Sequence, residues 1–95
     1  MPRKNTQSMG EAINEYINSL KIKGKLNEVR LINSWGEMVG TTIAKATTNI
    51  FIRDKIMFVQ IRSSVIKNEL MNIKTEILER ITKQHYGVIT DIRFI

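Results

Sequence analysis

Basic side chains are the most abundant groups in this sequence that could do chemistry, and most of them gather in two sets. Fifteen Lys and Arg against nine Asp and Glu give a formal net charge of +6. Such a balance favours a polyanionic partner, or simply keeps a small domain in solution. The first set is Lys21, Lys23, Lys25 and Arg30. The second set is Arg53, Lys55, Arg62 and Arg93.

Two phenylalanines accompany the second set. Strand alternation predicts that Phe51 and Phe58 share one face of a sheet with Arg62, with Arg93 on the mixed face of the last strand. Cations beside exposed aromatic rings suit single-stranded nucleic acid, because phosphates pair with the charges and bases stack on the rings. The alternative is that a helix covers the rings and the charges serve solubility. If the face is open it is the better site; if it is covered, the first set becomes the better candidate.

Catalysis finds little support among the remaining residues. The only histidine, His85, is expected to cap a helix end or to lie in solvent. Gly36 and Gly40 are four residues apart, but no Lys-Ser or Lys-Thr pair follows them, so they do not form a phosphate-binding loop. Close packing and helix termination explain these glycines better.

The acidic residues and the absence of cysteine also argue against catalysis. Glu76 and Glu79 each have a cation four residues later, Arg80 and Lys83, which predicts two surface ion pairs. The chain has no cysteine, and its acids show no metal-ligand spacing. We therefore expect no enzyme activity, no metal, no cofactor and no small-molecule substrate.

The length and hydropathy of the chain limit the number of domains and membrane spans that it can form. Ninety-five residues, of which 42% are hydrophobic, suffice for one core. The longest apolar runs are three and four residues, as in Ile56–Val59, far from the roughly 20 of a membrane span. We expect a flexible basic tail over residues 1–8, a single domain over 9–95, no membrane partner and a cytoplasmic location.

Hydrophobic spacing in the first half predicts helices. Ser8 and Glu11 form a capping box ahead of a helix over about 9–21. Gly24 is the predicted terminator, so Lys21, Lys23 and Lys25 fall in a loop between two helices, and Arg30 falls in the next helical turn. A second helix is predicted over 26–39, and 41–46 fits one or two further helical turns.

In the second half of the chain, the two-residue alternation typical of strands appears beside the helical spacing of hydrophobic residues. Strands are predicted over 49–53, 56–62 and 88–95, and one long helix over 64–84. The fold class is therefore α+β, a small two-layer sandwich of order α-α-(α)-β-β-α-β with a three-stranded sheet. The predicted core is Trp35, Val39, Ile43, Met57, Val59, Ile61, Ile66, Leu70, Ile73, Ile77, Ile92 and Phe94.

An ordered set of short motifs carries a family resemblance. The motifs are Trp35-x-x-x-Val39-Gly40-x-x-Ile43-Ala44, Thr47-Thr48 before a strand, Met57-x-Val59-x-Ile61-x-Ser63-Ser64, Glu69-Leu70, and Asp91-Ile92-Arg93-Phe94. Over about residues 11–95 the chain resembles the DciA-like family, bacterial proteins long catalogued as a domain of unknown function.

The resemblance implies a fold like a type II KH domain and association with the replicative DNA helicase. It further implies help in placing that helicase on DNA at initiation, together with DNA binding. We expect that DNA to be single-stranded or mixed. The chain departs from the family at Ile66, where a Trp is common, and at the turn Asp54-Lys55, where Asp-Gly is common. It also lacks the KH Gly-x-x-Gly loop, so sequence-specific clamping of RNA is not expected. The alternative function is a protein-binding adaptor with no nucleic-acid contact.

Overall fold

The computed structural model describes the backbone of residues 9–95 and the side chains of residues 12–95. The expected tail over 1–8 and the capping box of Ser8 and Glu11 lie outside these described residues. Within residues 9–95, four helices and a three-stranded mixed sheet confirm the α+β class. The elements are α1 Met9–Val39, α2 Thr41–Ala46, β1 Thr47–Arg53, β2 Ile56–Ile61, α3 Ser64–Asn72, α4 Lys74–Gln84 and β3 Asp91–Phe94. No helix within residues 9–95 is both long and apolar enough to cross a bilayer.

The first helix corrects the predicted pair of helices. α1 runs without a break for 31 residues through Gly24. One interior glycine costs a helix only about 1 kcal/mol, and no proline follows to stop it. The predicted interhelical loop therefore does not exist. Gly40 does end the helix as expected, because its φ of 92° turns the chain into α2.

The sheet has the order β1-β2-β3. β1 pairs antiparallel with β2, and β2 pairs parallel with β3. The hairpin turn places both Asp54 and Lys55 at positive φ, 53° and 62°. Positive φ at both central residues defines a type I′ turn, which prefers Asn-Gly or Asp-Gly. The turn therefore forms with a lysine where glycine is the usual residue.

The predicted long helix is divided in two at Ile73. Ser63 caps α3 by accepting a hydrogen bond from the backbone N–H of Ile66 at 3.3 Å, as the paired serines predicted. Ile73 has φ −109° and ψ 18°, outside the helical region, and α4 starts at the next residue. The break turns the Ile73 side chain outward, so its predicted place in the core was wrong.

The core lies between the helices and one face of the sheet. Eight predicted members are buried: Trp35, Met57, Val59, Ile61, Leu70, Ile77, Ile92 and Phe94. Val39, Ile43 and Ile66 are half-buried and pack against them. The prediction missed four buried residues, Leu31, Ala46, Ile81 and Ile89. The helices cover the face that carries Met57, Val59 and Ile92, and in the described part of the chain none covers the other face.

Candidate nucleic-acid interface

The uncovered side of the sheet, which we call the outer sheet face, carries a stacked aromatic pair. Ile52 pairs with the buried Met57, so the neighbouring pair Phe51 and Phe58 points to the opposite side. The two ring centroids are 4.9 Å apart with an interplanar angle of 14°. Phe51 is 36% exposed. The condition set by the sequence is therefore met at Phe51, whereas the Phe58 ring is half-buried.

Two arginines lie beside the aromatic pair. The guanidinium carbon of Arg53 is 5.9 Å from the centroid of the Phe51 ring, within cation–π range. Arg93 is the register partner of Phe58 on the neighbouring strand, and its side chain is 59% exposed. Phe51, Phe58 and Arg93 thus form a row across all three strands, with Arg53 at one end. This arrangement can stack a base and contact the flanking phosphates together.

One carboxylate borders the same face. Asp91 is two residues from Arg93, so strand alternation places both on one side, as the sequence predicts. Its Oδ1 is 3.1 Å from Lys74 Nζ, and its Oδ2 is 3.9 Å from Arg93 Nε. The backbone N–H of Ile92, then the Lys74 ammonium, lower the pKa of Asp91 below its usual value. Asp91 therefore stays charged at neutral pH and offsets part of the Arg93 charge.

Arg62 has a structural partner. Its guanidinium donates a hydrogen bond of 2.5 Å to the carbonyl of Lys45, and its backbone N–H donates to the carbonyl of Ala46 at 2.8 Å. Both carbonyls belong to the end of α2, where helical carbonyls lack partners within the helix. Arg62 therefore caps α2, and its charge is less available to a ligand than that of Arg53 or Arg93.

Lys55 lies at the tip of the hairpin, near α1. Its carbonyl accepts a hydrogen bond from the backbone N–H of Thr90 at 2.7 Å. It lines a cavity of about 240 Å³ together with Gly24 and Glu28 of α1 and with Tyr86. Lys55 is exposed and borders the outer sheet face without joining its aromatic row.

The first basic set is helical and is divided between two sides of α1. Its four members are exposed: Lys21, Lys23, Lys25 and Arg30. Residues four apart share a helix side, as do residues seven apart. Lys21 and Lys25 therefore lie on one side, and Lys23 and Arg30 on another. The structure brings these cations together neither in a loop nor with the outer sheet face.

A second concave surface lies between α1 and β1 and lacks cations. It has a volume of about 410 Å³, and its polar lining includes Thr47, Thr48 and Asn49. Thr47 Oγ1 accepts a hydrogen bond from Trp35 Nε1 at 3.0 Å and donates to the carbonyl of Ile43 at 2.8 Å. No Lys or Arg lines this groove, so phosphate contact is poorly supported there.

His85 and Arg80 have structural partners. His85 ends α4, and its Nε2 lies 3.1 Å from the hydroxyl of Ser34. Arg80 donates a hydrogen bond of 2.9 Å to the carbonyl of Met38 near the end of α1. Within the described residues no ion pair joins Glu76 to Arg80, so that prediction was wrong.

The second predicted ion pair is also missing. Glu79 and Lys83 are both described and exposed, and no ion pair joins them. The described residues also hold no group of three or more His, Cys, Asp or Glu placed to bind a metal ion.

Comparison with known protein families identifies a match. A family model described as DciA, the Dna[CI] antecedent, matches residues 8–94, which is nearly the whole chain. No curated protein matches the chain.

Proposed function

The chain belongs to the DciA family, and from that premise we propose that it is a non-catalytic module that helps to load the replicative DNA helicase. Membership implies association with loading of that helicase. The finer part of the proposal is that the module holds single-stranded DNA while it engages the helicase, and that it does so through the outer sheet face.

The observation that carries the DNA contact is the row of Phe51, Phe58 and Arg93 with Arg53 beside it. Stacking of one base on an aromatic side chain is worth about 1–3 kcal/mol and tolerates any base. The rings are supported by their own stacking at 4.9 Å, so a base meets a fixed platform. Arg53 and Arg93 flank that platform where the neighbouring phosphates would pass.

Single-stranded DNA fits this face better than duplex DNA. Bases in a duplex are stacked on one another, so an aromatic platform reaches them only after they are unstacked at a cost of a few kcal/mol. In a single strand the faces of the bases are accessible without that cost. A helicase loader needs such a contact where the strand has just been opened.

The test is binding of a fluorescent oligothymidylate measured by anisotropy at several salt concentrations. We expect the logarithm of affinity to fall with the logarithm of salt by about 0.7 per phosphate contacted. Phe51→Ala should weaken binding by about 1–3 kcal/mol through lost stacking. The double variant Arg53→Glu/Arg93→Glu should weaken binding more and reduce the salt slope.

The matched control is Lys67→Glu/Lys83→Glu, which changes the net charge equally but lies on the helical layer. It should bind nearly as the wild type does. Absence of binding at low salt, or equal losses in the control and in the arginine variant, would contradict the proposed interface and leave the adaptor reading, which has no DNA contact.

A further inference from the structure

We propose that residues 12–26 of α1, the projecting segment, dock onto an acidic amphipathic helical surface of a partner protein. The proposal deepens the proposed function, on which it rests for the expectation that the helicase is the protein that carries such a surface. It concerns a region separate from the outer sheet face.

The projecting segment lies outside the core. Every residue from Ala12 to Leu26 is exposed, whereas Leu31, five residues further on, is fully buried. α1 is about 46 Å long at 1.5 Å per residue, and the molecule measures 61 × 21 × 20 Å along its principal axes. Gly24 still lines a cavity with Lys55 and Tyr86, so it is mainly the residues before Gly24 that extend beyond the rest of the fold.

The face of α1 that packs into the core continues along the projecting segment as an apolar stripe. Its residues are Ile13, Ile17, Leu20 and Gly24, at steps of four, three and four, and the same spacing leads on to Leu31. Ile13 is 53%, Ile17 41% and Leu20 49% exposed. An amphipathic helix normally buries such a stripe. The stripe lacks, in this part of the helix, the cover that the core provides further on.

The charges beside the stripe indicate which surface covers it. With Ile13 and Leu20 at d positions and Ile17 and Gly24 at a positions of a heptad, Lys21 falls at e and Lys23 at g. These are the positions whose charges select a partner helix. Both are cationic, one on each side, so a complementary helix carries Asp or Glu along both borders of its own apolar row.

A second copy of this chain fits the stripe poorly. A parallel pair would bring the two cores together, because each core covers the same face of α1 from Leu31 onward. An antiparallel pair centred between Ile17 and Leu20 places Lys21 level with Tyr16 and Lys23 level with Asn14, so no carboxylate faces either lysine. The stripe also spans two heptads, fewer than the three to four typical of a self-sufficient coiled coil.

The experiment uses the full chain and a designed acidic peptide of four heptads, with Ile at a, Leu at d and Glu at e and g. Glu repulsion keeps that peptide from pairing with itself. We expect saturable binding by fluorescence anisotropy, weakened about tenfold or more by Ile17→Asp and by Lys21→Glu/Lys23→Glu. Ile22→Asp, on the opposite side of the same helix, is the matched control and should bind as the wild type does. A peptide with Lys at e and g should not bind.

The proposal is overturned by equal binding of the acidic and basic peptides, by no binding of the acidic peptide, or by equal losses in Ile17→Asp and Ile22→Asp. It is also overturned if the segment instead binds vesicles of anionic phospholipid, or if sedimentation shows a dimer that Ile17→Asp dissolves. A pull-down with the host replicative helicase separates the two proposals. If the wild type and Ile22→Asp capture the helicase and Ile17→Asp does not, both proposals are supported. If the wild type captures no helicase, the proposed function is contradicted, whereas the docking proposal is still judged by the peptide result.

Discussion

The two ends of α1 present the same apolar face to different surroundings. From Leu31 to Val39 that face packs into the core, where Trp35 and Leu31 are among the most deeply buried side chains of the described chain. Over residues 12–26 the equivalent positions are exposed. We call residues 27–95 the body, in contrast to the projecting segment.

This difference shows that periodicity alone does not tell which apolar stripe forms a core. A stripe is buried where other elements lie within reach of it, and the buried residues of α1 within the described chain begin only at Leu31. In the projecting segment the helix gains no burial energy from its own fold. Its stability rests on helix propensity and on any partner it meets.

The largest expected contrast between the two regions is the cost of removing a leucine. Leu70→Ala in the body should lower the free energy of unfolding by about 2–5 kcal/mol, because a fully buried side chain leaves a cavity. Leu20→Ala in the projecting segment should change it by less than about 0.5 kcal/mol. Urea denaturation followed by circular dichroism measures both. Similar costs at the two sites would abolish the distinction.

A smaller effect is expected from the polar contact inside the body. Thr47→Val keeps the side-chain shape but removes the acceptor of the Trp35 indole N–H. Leaving that buried donor unpaired should cost about 1–3 kcal/mol. The neighbouring Thr48→Val, exposed in the bulge of β1, is the control. Thermal unfolding that ranks Thr48→Val as the more damaging change would contradict the assigned contact.

Gly24→Ala tests the stability of the projecting segment rather than that of the body. A Cβ at this position has no heavy atom within 4 Å, so alanine fits without strain. It should stabilise the helix locally by about 0.5–1 kcal/mol. Amide hydrogen exchange should slow over residues 12–26, with little change in the strands of the body. Faster exchange in Gly24→Ala would show that the chain needs the glycine as a break.

The smallest effect on stability is expected from Asp91, on the edge strand of the body, as the pH is lowered. The pKa of Asp91 is lower in the folded protein than its unfolded value near 3.8. Its contribution to stability is therefore complete above that value and is lost as the pH falls through the lower, folded pKa. The side chain is about a third exposed, so Asp91→Asn should cost less than about 1 kcal/mol at pH 6.

Urea midpoints of wild type and Asp91→Asn should converge as the pH falls from about 5 to about 2. A gap that widens instead would show that the carboxyl group is stabilised in its protonated form.

Local sequence signals predicted most of the elements that depend on local interactions. The hairpin strands, α2 and the serine cap of α3 follow from alternation, spacing and capping chemistry. The sequence also placed Phe51, Phe58 and Arg93 on a mixed face. These features are set by residues close together in the chain, so the sequence displays them directly.

The wrong predictions concern features that depend on contacts between residues far apart in the sequence. Gly24 is a common helix terminator, yet α1 continues through it because nothing nearby offers the chain another path. Ile73 fits the helical stripe, but the break between α3 and α4 turns it outward. The use of Arg62 as a cap on α2 depends on a contact across 17 residues. Whether the outer sheet face is open depends on where the helices pack. That packing cannot be predicted from local sequence patterns.

The most direct test of the account is a titration of isotope-labelled protein with oligothymidylate, followed by amide chemical-shift changes in NMR spectra. We expect the largest shifts on the strands of the outer sheet face, at Phe51, Phe58 and Arg93, and little change over residues 12–26. Largest shifts at Lys21, Lys23 and Lys25, with unchanged strands, would contradict it and return the DNA contact to the projecting segment.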